Sequence, residues 1–180
     1  MVLDIVQLGH PVLRQKCERV EAGEKGLSEL IENMLETMYE AQGVGLAAPQ
    51  IAVAKQLAVI DVHSDESTTH FLVDGEAAKV SDYMPLVFLN PELSFAGEKE
   101  KDVEGCLSIK GIRASVKRPE IVIAKMQKAD GTEFTIEANG LLGRAIQHEV
   151  DHLNGILFID RLSSVAKLKV KRQLAKYTYE

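Results

Sequence analysis

The segment AIQHEVDHLNG (residues 145–155) constrains the fold more than any other part of the chain. It holds His148, Glu149 and His152 in the order H-E-x-x-H. Residues four positions apart lie on one face of a helix, so the two histidines can bind one metal ion with the glutamate beside them as a base. Aliphatic residues at the neighbouring positions predict that this face points into the protein core.

The ends of this helix are also marked in the sequence. Asn139 is a favourable N-cap residue, and Gly155 is a favourable residue just after the last turn. One stripe of the helix between them consists of Leu141, Ala145, His148 and His152. The neighbouring stripe consists of Leu142, Ile146, Glu149 and Leu153.

Patterns in the first half of the chain predict a helix, a loop and a strand. Leucine and methionine recur at helical spacing over about 27–42, which predicts an amphipathic helix that packs on the core. GVGLAAPQ (43–50) contains two glycines and a proline, which predicts a loop. LAVIDV (57–62) is typical of a buried strand, and the polar residues 63–82 predict an exposed excursion.

The second half of the chain completes the expected fold. LVFLNPEL (86–93) has strand character, and residues 120–138 predict a hairpin that turns at an Asp-Gly pair. A further helix begins at Ser163 or Ser164. We therefore expect an α+β fold in one domain, residues 1–180, with mainly antiparallel sheets packed around a central H-E-x-x-H helix and with an N-terminal and a C-terminal helix.

Composition excludes several classes of protein. The formal net charge of −6 disfavours a general nucleic-acid binder. No apolar run approaches the roughly 20 residues that span a bilayer, and the first residues do not resemble a signal peptide. The two cysteines, Cys17 and Cys106, give no disulfide framework, which fits a reducing compartment. We expect a cytoplasmic protein without membrane contact.

A catalytic zinc-type site usually has three protein ligands, and the histidine pair supplies two. The pattern H-E-x-x-H-x-x-G-x-x-H would place a third histidine where this chain has Phe158. A glutamate further downstream is the other common solution, but Glu180 is the last residue and a frayed end is a poor ligand. Asp160 is a further candidate just beyond the end of the helix.

Cys106 is the upstream candidate for the third ligand. It follows a glycine between strand-like segments, and a thiolate is a strong ligand for zinc and other borderline metals. The alternative is that a lone cysteine is a small buried hydrophobic residue, which is our interpretation of Cys17. Similarly, the alternative for His148 and His152 is a pair of buried, hydrogen-bonded core residues.

Three segments together resemble the signature motifs of the peptide deformylase family: GVGLAAPQ (43–50), EGCLS (104–108) and HEVDHLNG (148–155). They occur in the family's order across the middle of the chain. The resemblance implies a bacterial-type hydrolase of protein biosynthesis that takes part in N-terminal methionine processing. Such an enzyme removes the formyl group from the N-terminal formylmethionine of newly made proteins and releases formate.

The resemblance also implies a set of site residues. The metal ligands are Cys106, His148 and His152, and Glu149 takes a proton from water and passes it to the leaving amine. The side chain of Gln50 and the backbone N–H of Leu107 stabilise the oxyanion. The alternative for Gln50 is an ordinary loop glutamine.

The ligand set bears on which metal is bound. A thiolate and two neutral histidines leave a divalent site with about one positive charge, a weaker Lewis acid than a three-histidine site. The resemblance implies one divalent ion, Fe²⁺ in cells, with Ni²⁺, Co²⁺ or Zn²⁺ accepted, and an iron–thiolate site should be sensitive to oxygen.

Substrate contacts are expected on both sides of this centre. The resemblance places Val44 and Gly45 near the site, where they should let a peptide backbone pair with the edge of the protein. Leu141 and Ala145, one to two turns before His148, should line a methionine pocket. The full set of expected substrate-binding residues is Val44, Gly45, Arg113, Leu141, Arg144 and Ala145.

Two arginines in that set have alternative interpretations. Arg144 should contribute its aliphatic stem to the pocket with its charged end in water, or else be plain surface charge. Arg113 matches an arginine that the family places near the substrate, and a structural salt bridge is the alternative. The chain departs from the family pattern at Lys110, where proline is frequent, and in residues 63–85, which are longer than in compact members.

Other functions fit the sequence less well. An H-E-x-x-H metallopeptidase is the nearest alternative, but it lacks its downstream ligand. GVGLAA satisfies a permissive dinucleotide-binding pattern, but the order here is helix, glycine-rich turn and then strand, the reverse of what that fold requires. A non-catalytic metal-binding module would be expected to have four protein ligands. The basic C-terminal helix is either a solvated face or a transient contact with ribosomal RNA near the nascent chain.

Overall fold

The computed structural model describes residues 1–177. Its helices are α1 (Leu27–Glu40), α2 (Gly140–Leu153) and α3 (Ser164–Tyr177). Its strands are β1 (Gly45–Ala47), β2 (Leu57–Ile60), β3 (Phe71–Val73), β4 (Glu76–Ala77), β5 (Leu86–Cys106), β6 (Ile109–Gln127) and β7 (Glu133–Ala138). Short 3₁₀ helices cover Pro11–Arg14, Ala48–Ile51, Val80–Tyr83 and Phe158–Arg161. The expected α+β class and the three expected helices are confirmed.

The strands form one sheet in the order β1-β2-β5-β6-β7-β3-β4, and every neighbouring pair is antiparallel. Within β5, only Leu86–Leu89 pair with β2, and within β6, only Val122–Gln127 pair with β7. The rest of the β5–β6 ladder is therefore a two-stranded ribbon. At its end Cys106 pairs with Ile109, so a two-residue turn immediately follows the cysteine.

Helices α1 and α2 cover opposite faces of β2. Leu57 and Val59 belong to the apolar cluster that contains Met34 and Met38 of α1. Ala58 and Ile60 belong to the cluster that contains Ile146 and Val150 of α2. Successive residues of a strand point to opposite faces, so both faces are covered and the run LAVI is buried throughout.

Packing of the ribbon places α3. Ile109, Ile112 and Val116 of β6 share a third apolar cluster with Phe158 and with Val170 of α3. This cluster holds the end of the ribbon against the C-terminal part of the chain, so the turn after Cys106 is anchored rather than free in solvent.

The prediction of a loop over residues 43–50 is wrong. Gly45–Ala47 pair with Ala58–Ile60 as β1, and Ala48–Ile51 form a 3₁₀ helix. Glycine and proline indicate a break in structure when read locally, but pairing with a buried neighbouring strand outweighs that preference. The predicted helix over 27–42 is confirmed, although it ends at Glu40.

The prediction of an exposed excursion over residues 63–82 is only partly correct. Its second half adds β3 and β4 to the sheet, and Phe71 is buried against the ring of Tyr83 at a centroid distance of 5.6 Å. A segment whose composition is mainly polar therefore contributes one buried apolar residue, Phe71, and the two strands at one edge of the sheet.

The same segment provides the N-terminal cap of α2. Asn139 is the N-cap residue, as expected, but its side chain accepts hydrogen bonds from the backbone of Thr69 and His70 instead of capping the helix. The hydroxyls of Ser67 and Thr68 accept from the N–H groups of Leu141 and Leu142 at 2.9 and 3.2 Å. Gly155 follows the helix at φ +71°, as expected of a residue that ends it.

The hairpin expected over residues 120–138 is confirmed as β6 and β7, and it turns at Asp130-Gly131. The longer β5–β6 hairpin was not predicted, because the exposed stretch EKEKDV (98–103) of β5 contains only one apolar residue. Over residues 1–177, no helix combines the length and the apolar character that crossing a membrane requires.

Candidate metal centre and active site

The two histidines of the H-E-x-x-H motif lie side by side on α2. Their ring centroids are 5.1 Å apart, and His152 is only 1% exposed. The ring of His148 stacks on Phe158 at 6.1 Å. Phe158 occupies the position where a metallopeptidase would have its third histidine, and it packs against the site without offering a ligand.

Cys106 meets the histidines from the end of the ribbon. Its Sγ is 3.3 Å from Nε2 of His152. The thiol and one nitrogen of each histidine all lie within 4.8 Å of one another, and no other group of three such side chains is found in residues 1–177. Asp160 accepts hydrogen bonds from Arg14 and from the backbone N–H of Leu157, and it is not part of this group. Glu180, the other downstream candidate, lies outside the described residues.

These three residues fit a divalent cation. Imidazole and thiolate are the ligand types that zinc and other borderline metals prefer. Two further polar atoms at the site, Oε2 of Glu149 and Nδ1 of His152, are buried without a hydrogen-bond partner in the described part of the chain. Buried polar atoms are almost always satisfied, so unsatisfied ones mark a place where a ligand or ion is expected.

Glu104 orients the first histidine. Its Oε1 lies 2.9 Å from Nδ1 of His148, so that nitrogen carries the proton and Nε2 is left as the ligand atom. Burial alone would raise the pKa of Glu104, but hydrogen bonds from Arg118 and His148 outweigh it and hold the pKa at about 2. The carboxylate is therefore charged at neutral pH.

A buried network of charges supports Glu104. Arg118 donates to Glu104 at 2.7 and 2.9 Å and to Asp151 at 2.8 Å. Arg161 donates two further bonds to Asp151, at 2.6 and 2.7 Å. Asp151 lies within the H-E-x-x-H motif, one residue before His152, so the network joins α2 to both strands of the ribbon.

The pKa values of the motif follow from burial and from neighbouring charges. Burial would lower the pKa of His148, but hydrogen bonds to Cys106 and Glu104 reverse the shift and raise the pKa to about 10. The pKa of His152 falls well below its usual value because of burial and the charges of His148 and Arg118. A divalent cation bound between the thiol and the two imidazoles would take the place of a proton on these ligands.

Glu149 has the surroundings of a proton-transfer group. It is 4% exposed, and burial raises its pKa to about 7, with the charges of Glu104 and Asp151 also raising it and those of His148 and Arg118 lowering it. A carboxyl group with a pKa near neutrality can both accept and return a proton at working pH.

Gly45 leaves room for Glu149. A Cβ at Gly45 would lie 2.5 Å from Oε1 of Glu149, which is closer than real Cβ contacts allow. Only glycine therefore brings the β1 backbone against this carboxyl group. The resemblance implied that Gly45 lies near the site, and the structure shows that it contacts Glu149 directly.

Gln50 points into the same centre. Its Oε1 accepts from the N–H of Ala47 at 2.9 Å, and its Nε2 donates to Ser108 Oγ at 3.2 Å and makes a longer contact with Cys106 Sγ at 3.5 Å. The side chain is held by both the first and the second motif. It is 1% exposed, which excludes the alternative of an ordinary loop glutamine.

A cavity of about 590 Å³ opens onto the centre. One wall comes from residues 42–45, a second from residues 102–113 and a third from the first turns of α2. All six expected substrate-binding residues border it: Val44, Gly45, Arg113, Leu141, Arg144 and Ala145. Gln50, Leu107 and Glu149 also border it, so the structure brings the predicted set together around one space.

The expectation that Arg144 extends its charged end into water is wrong. Its side chain is 12% exposed, and it donates to Glu104 at 2.9 Å and to the carbonyls of Val116 and Glu100 at 3.0 and 3.1 Å. The guanidinium finds a buried carboxylate and two carbonyls, so burial does not leave it unsatisfied. Arg113 is exposed and forms no ion pair within residues 1–177, so the salt-bridge alternative for it is not observed.

The residues that hydrogen-bond to the site residues were not identified from the sequence. Glu104, Arg118, Asp151 and Ser108 hold or orient members of the site, and none was singled out. A signal was present for Glu104 and Ser108, since both lie two residues from Cys106. None was present for Arg118, because its contacts depend on how β6 packs.

The fold and site together define a class. An inward-facing H-E-x-x-H helix, a cysteine at a hairpin end that could serve as a third ligand, and a buried glutamate beside an open cavity are typical of hydrolases that use a metal ion.

Comparisons with known proteins give the family. The sequence profile of polypeptide deformylase matches residues 2–168. A peptide deformylase of Methylacidiphilum infernorum is 43% identical over 98% of this chain and 93% of its own length. One of Clostridium botulinum is 48% identical over 88% of this chain and 95% of its own length. The crystal structure of a peptide deformylase from Synechococcus elongatus in complex with actinonin matches with a TM-score of 0.81 at 42% identity, covering 97% of this chain and 85% of that one. The chain belongs to the polypeptide deformylase family.

Proposed function

We propose that residues 1–180 form one catalytic domain in which Cys106, His148 and His152 hold a divalent metal ion and Glu149 moves the proton. The chain is a hydrolase that removes the N-formyl group from the N-terminal methionine of new proteins, as its family membership establishes. The observation that carries the division of roles is the convergence of one thiol and two imidazoles within 4.8 Å beside a buried carboxyl group.

The metal ion, when bound, supplies Lewis acidity and lowers the pKa of water towards neutrality. Fe²⁺ is our proposal for the ion used in cells, with Ni²⁺, Co²⁺ or Zn²⁺ as alternatives. Support comes from the thiolate, which reduces the net charge of the centre and makes a redox-active ion sensitive to oxygen. The phenyl ring of Phe158 and the buried position of His152 keep bulk water from the far side of the centre.

Glu149 takes a proton from the attacking water while the water oxygen bonds to the formyl carbon. The same carboxyl group then gives that proton to the amine nitrogen as the C–N bond breaks, which releases formate and the free N-terminus. Its pKa of about 7 supports this exchange, because neither protonation state is strongly favoured near neutrality.

Gln50 and Leu107 are proposed to stabilise the oxyanion. The Gln50 amide is fixed by Ala47 and Ser108, so its donor is already oriented before substrate binds. Leu107 follows Cys106 in the two-residue turn, which brings its backbone N–H next to the ligand.

The cavity walls suggest how the substrate lies. β1 is an edge strand, and Val44 and Gly45 offer backbone to an extended peptide. Leu141, Ala145 and the stem of Arg144 are proposed to receive the methionine side chain. Downstream residues would then leave between β1 and the end of the ribbon.

Two further proposals concern cellular context. We propose that the protein acts in the cytoplasm, where formylated chains are made. We also propose a transient ribosome contact through the exposed lysines of α3, which weakens with salt as phosphate contacts do. Binding to purified ribosomes at low and high salt tests this second proposal.

The central test is an anaerobic assay of formate release from formyl-Met-Ala-Ser, with metal content measured on the same samples. Cys106→Ser should lose metal and activity together, whereas Cys17→Ser, the matched control in the other cysteine, should keep both. Formate with intact Met-Ala-Ser supports the proposal. Cleavage of the Met–Ala bond without formate would instead establish the metallopeptidase alternative.

A further inference from the structure

The end of the ribbon carries two exposed cations beside the active-site cavity. Lys110 and Arg113 both border the cavity, and both are exposed. Neither forms an ion pair or a side-chain hydrogen bond anywhere in residues 1–177. Cations that stay unpaired next to a peptide-binding groove are available to a charged partner.

The local backbone holds these two residues at the rim. Gly105 pairs with Arg113 and Cys106 with Ile109, so residues 110–112 form a bulge between two ladder pairs. Ile112 anchors the bulge, being 1% exposed. A Cβ at Gly111 would lie 2.6 Å from the hydroxyl of Tyr177, so the end of α3 packs on the bulge from outside.

The opposite wall of the groove is close by. A Cβ at Gly43 would lie 2.7 Å from Cδ1 of Leu107, so the two walls meet next to the catalytic centre. Arg113 lies over Gly105, where an added Cβ would be 3.6 Å from its Cγ and 3.8 Å from its Nη1. A peptide leaving the centre between these walls therefore passes both cations.

One acidic side chain also borders the cavity and is exposed, Asp102. It pairs with Val116, three ladder positions from the Gly105–Arg113 pair, which corresponds to about 10 Å along the strands. Its carboxylate accepts from the N–H of Val103 at 2.7 Å. The other cavity charges are buried at the centre: Glu149, and the Glu104–Arg144 pair at 2.9 Å. The rim beside Cys106 is therefore locally positive.

We propose that Lys110 and Arg113 form a cationic rim that selects formylated peptides with an acidic side chain in the two residues after the methionine. An exposed charge contact acts on binding, so the preference is carried by KM rather than by kcat.

The experiment compares kcat/KM for formyl-Met-Ala-Glu, formyl-Met-Ala-Gln and formyl-Met-Ala-Lys, and for the matching series with the charge in the second position. The wild-type enzyme should prefer Glu over Lys by about tenfold in at least one series, at about threefold per cation. Lys110→Gln should reduce that ratio about threefold, and Lys110→Gln with Arg113→Gln should bring it near one. Raising the salt concentration should also lower the wild-type ratio.

Lys25→Gln is the matched control, because Lys25 is equally exposed and lies in the loop before α1. It should leave the ratio unchanged. A wild-type ratio near one, or a ratio that survives the double substitution, overturns the inference. Since the inference rests on the proposed function, the neutral peptide separates the two failures: no formate even from formyl-Met-Ala-Gln would overturn the proposed function itself.

Discussion

Helices α1 and α2 have the same length and cover opposite faces of the same sheet, yet they bury different chemistry. Each has 14 residues. The buried face of α1 is nearly all apolar, with Thr37 as its single buried polar residue. The buried face of α2 includes four polar or charged side chains: Gln147, Glu149, Asp151 and His152.

The two helices differ in how their buried polar groups are satisfied. Thr37 is satisfied locally, since it donates to the carbonyl of Asn33 at 2.6 Å and accepts from Leu3 at 2.9 Å. On α2, Asp151 is satisfied by distant arginines, while Glu149 and His152 each keep a buried atom without a partner. A face that carries such groups contributes less to stability, as expected of groups that are proposed to act on the substrate and the metal.

Glu149→Gln on the buried face of α2 should have the largest effect on activity. The isosteric amide cannot accept and return a proton, so kcat should fall by about 10²–10⁴-fold. It also removes the charge of a buried carboxyl group whose Oε2 has no hydrogen-bond partner in the described residues, so the melting temperature should not fall. Formate release and thermal unfolding of one metal-loaded sample measure both. A variant that unfolds earlier while keeping its kcat would contradict the assignment.

Breaking the buried charge network should cost stability as well as activity. Arg118→Met leaves Glu104 and Asp151 with fewer partners in a buried place, which should lower the free energy of unfolding by about 3–5 kcal/mol. Urea unfolding measures the loss. Arg14→Met is the matched control, because its pair with Asp160 is largely exposed and should be worth less than about 1 kcal/mol. Equal losses in the two variants would refute the distinction.

On the α1 face, truncation should affect stability alone. Met34 is fully buried among aliphatic neighbours, and Met34→Ala should cost about 2–4 kcal/mol through the cavity it leaves. Activity per folded molecule should stay at the wild-type value, since Met34 does not itself line the cavity. Activity measured at a temperature where the variant is fully folded checks this, and a tenfold fall there would mean that α1 positions the site.

The two cysteines also differ in their surroundings, and their thiols should therefore differ in reactivity. Cys17 lies in the apolar cluster of α2, and burial raises the pKa of its thiol to about 11. At pH 8 only about one molecule in a thousand carries that thiolate, so alkylation should be very slow and should speed up as the pH approaches 11. Cys106 should react once a chelator has removed the metal. Peptide mapping assigns the label, and rapid labelling of Cys17 in folded protein would contradict its burial.

Much of the site could be predicted because its information is local. The spacing of His148 and His152 follows from the helical repeat, which does not depend on the rest of the fold. The glycine-rich first motif was likewise recognisable in a short segment, whereas the role of Gln50 came only from the family resemblance of that motif. The secondary structure of that motif was not predictable, because Gly45–Ala47 become a strand only through pairing with β2.

The α+β class, the histidine pair on one face of a helix and a short list of candidates for the third ligand could all be predicted from the sequence. The meeting of distant groups at the site could not: Cys106 beside His152, Glu104 against His148, and Ser67 and Thr68 at the start of α2. The physical reason is that side-chain spacing within a helix is fixed by its geometry. Contacts between segments instead depend on strand register and packing, which no short stretch of sequence contains.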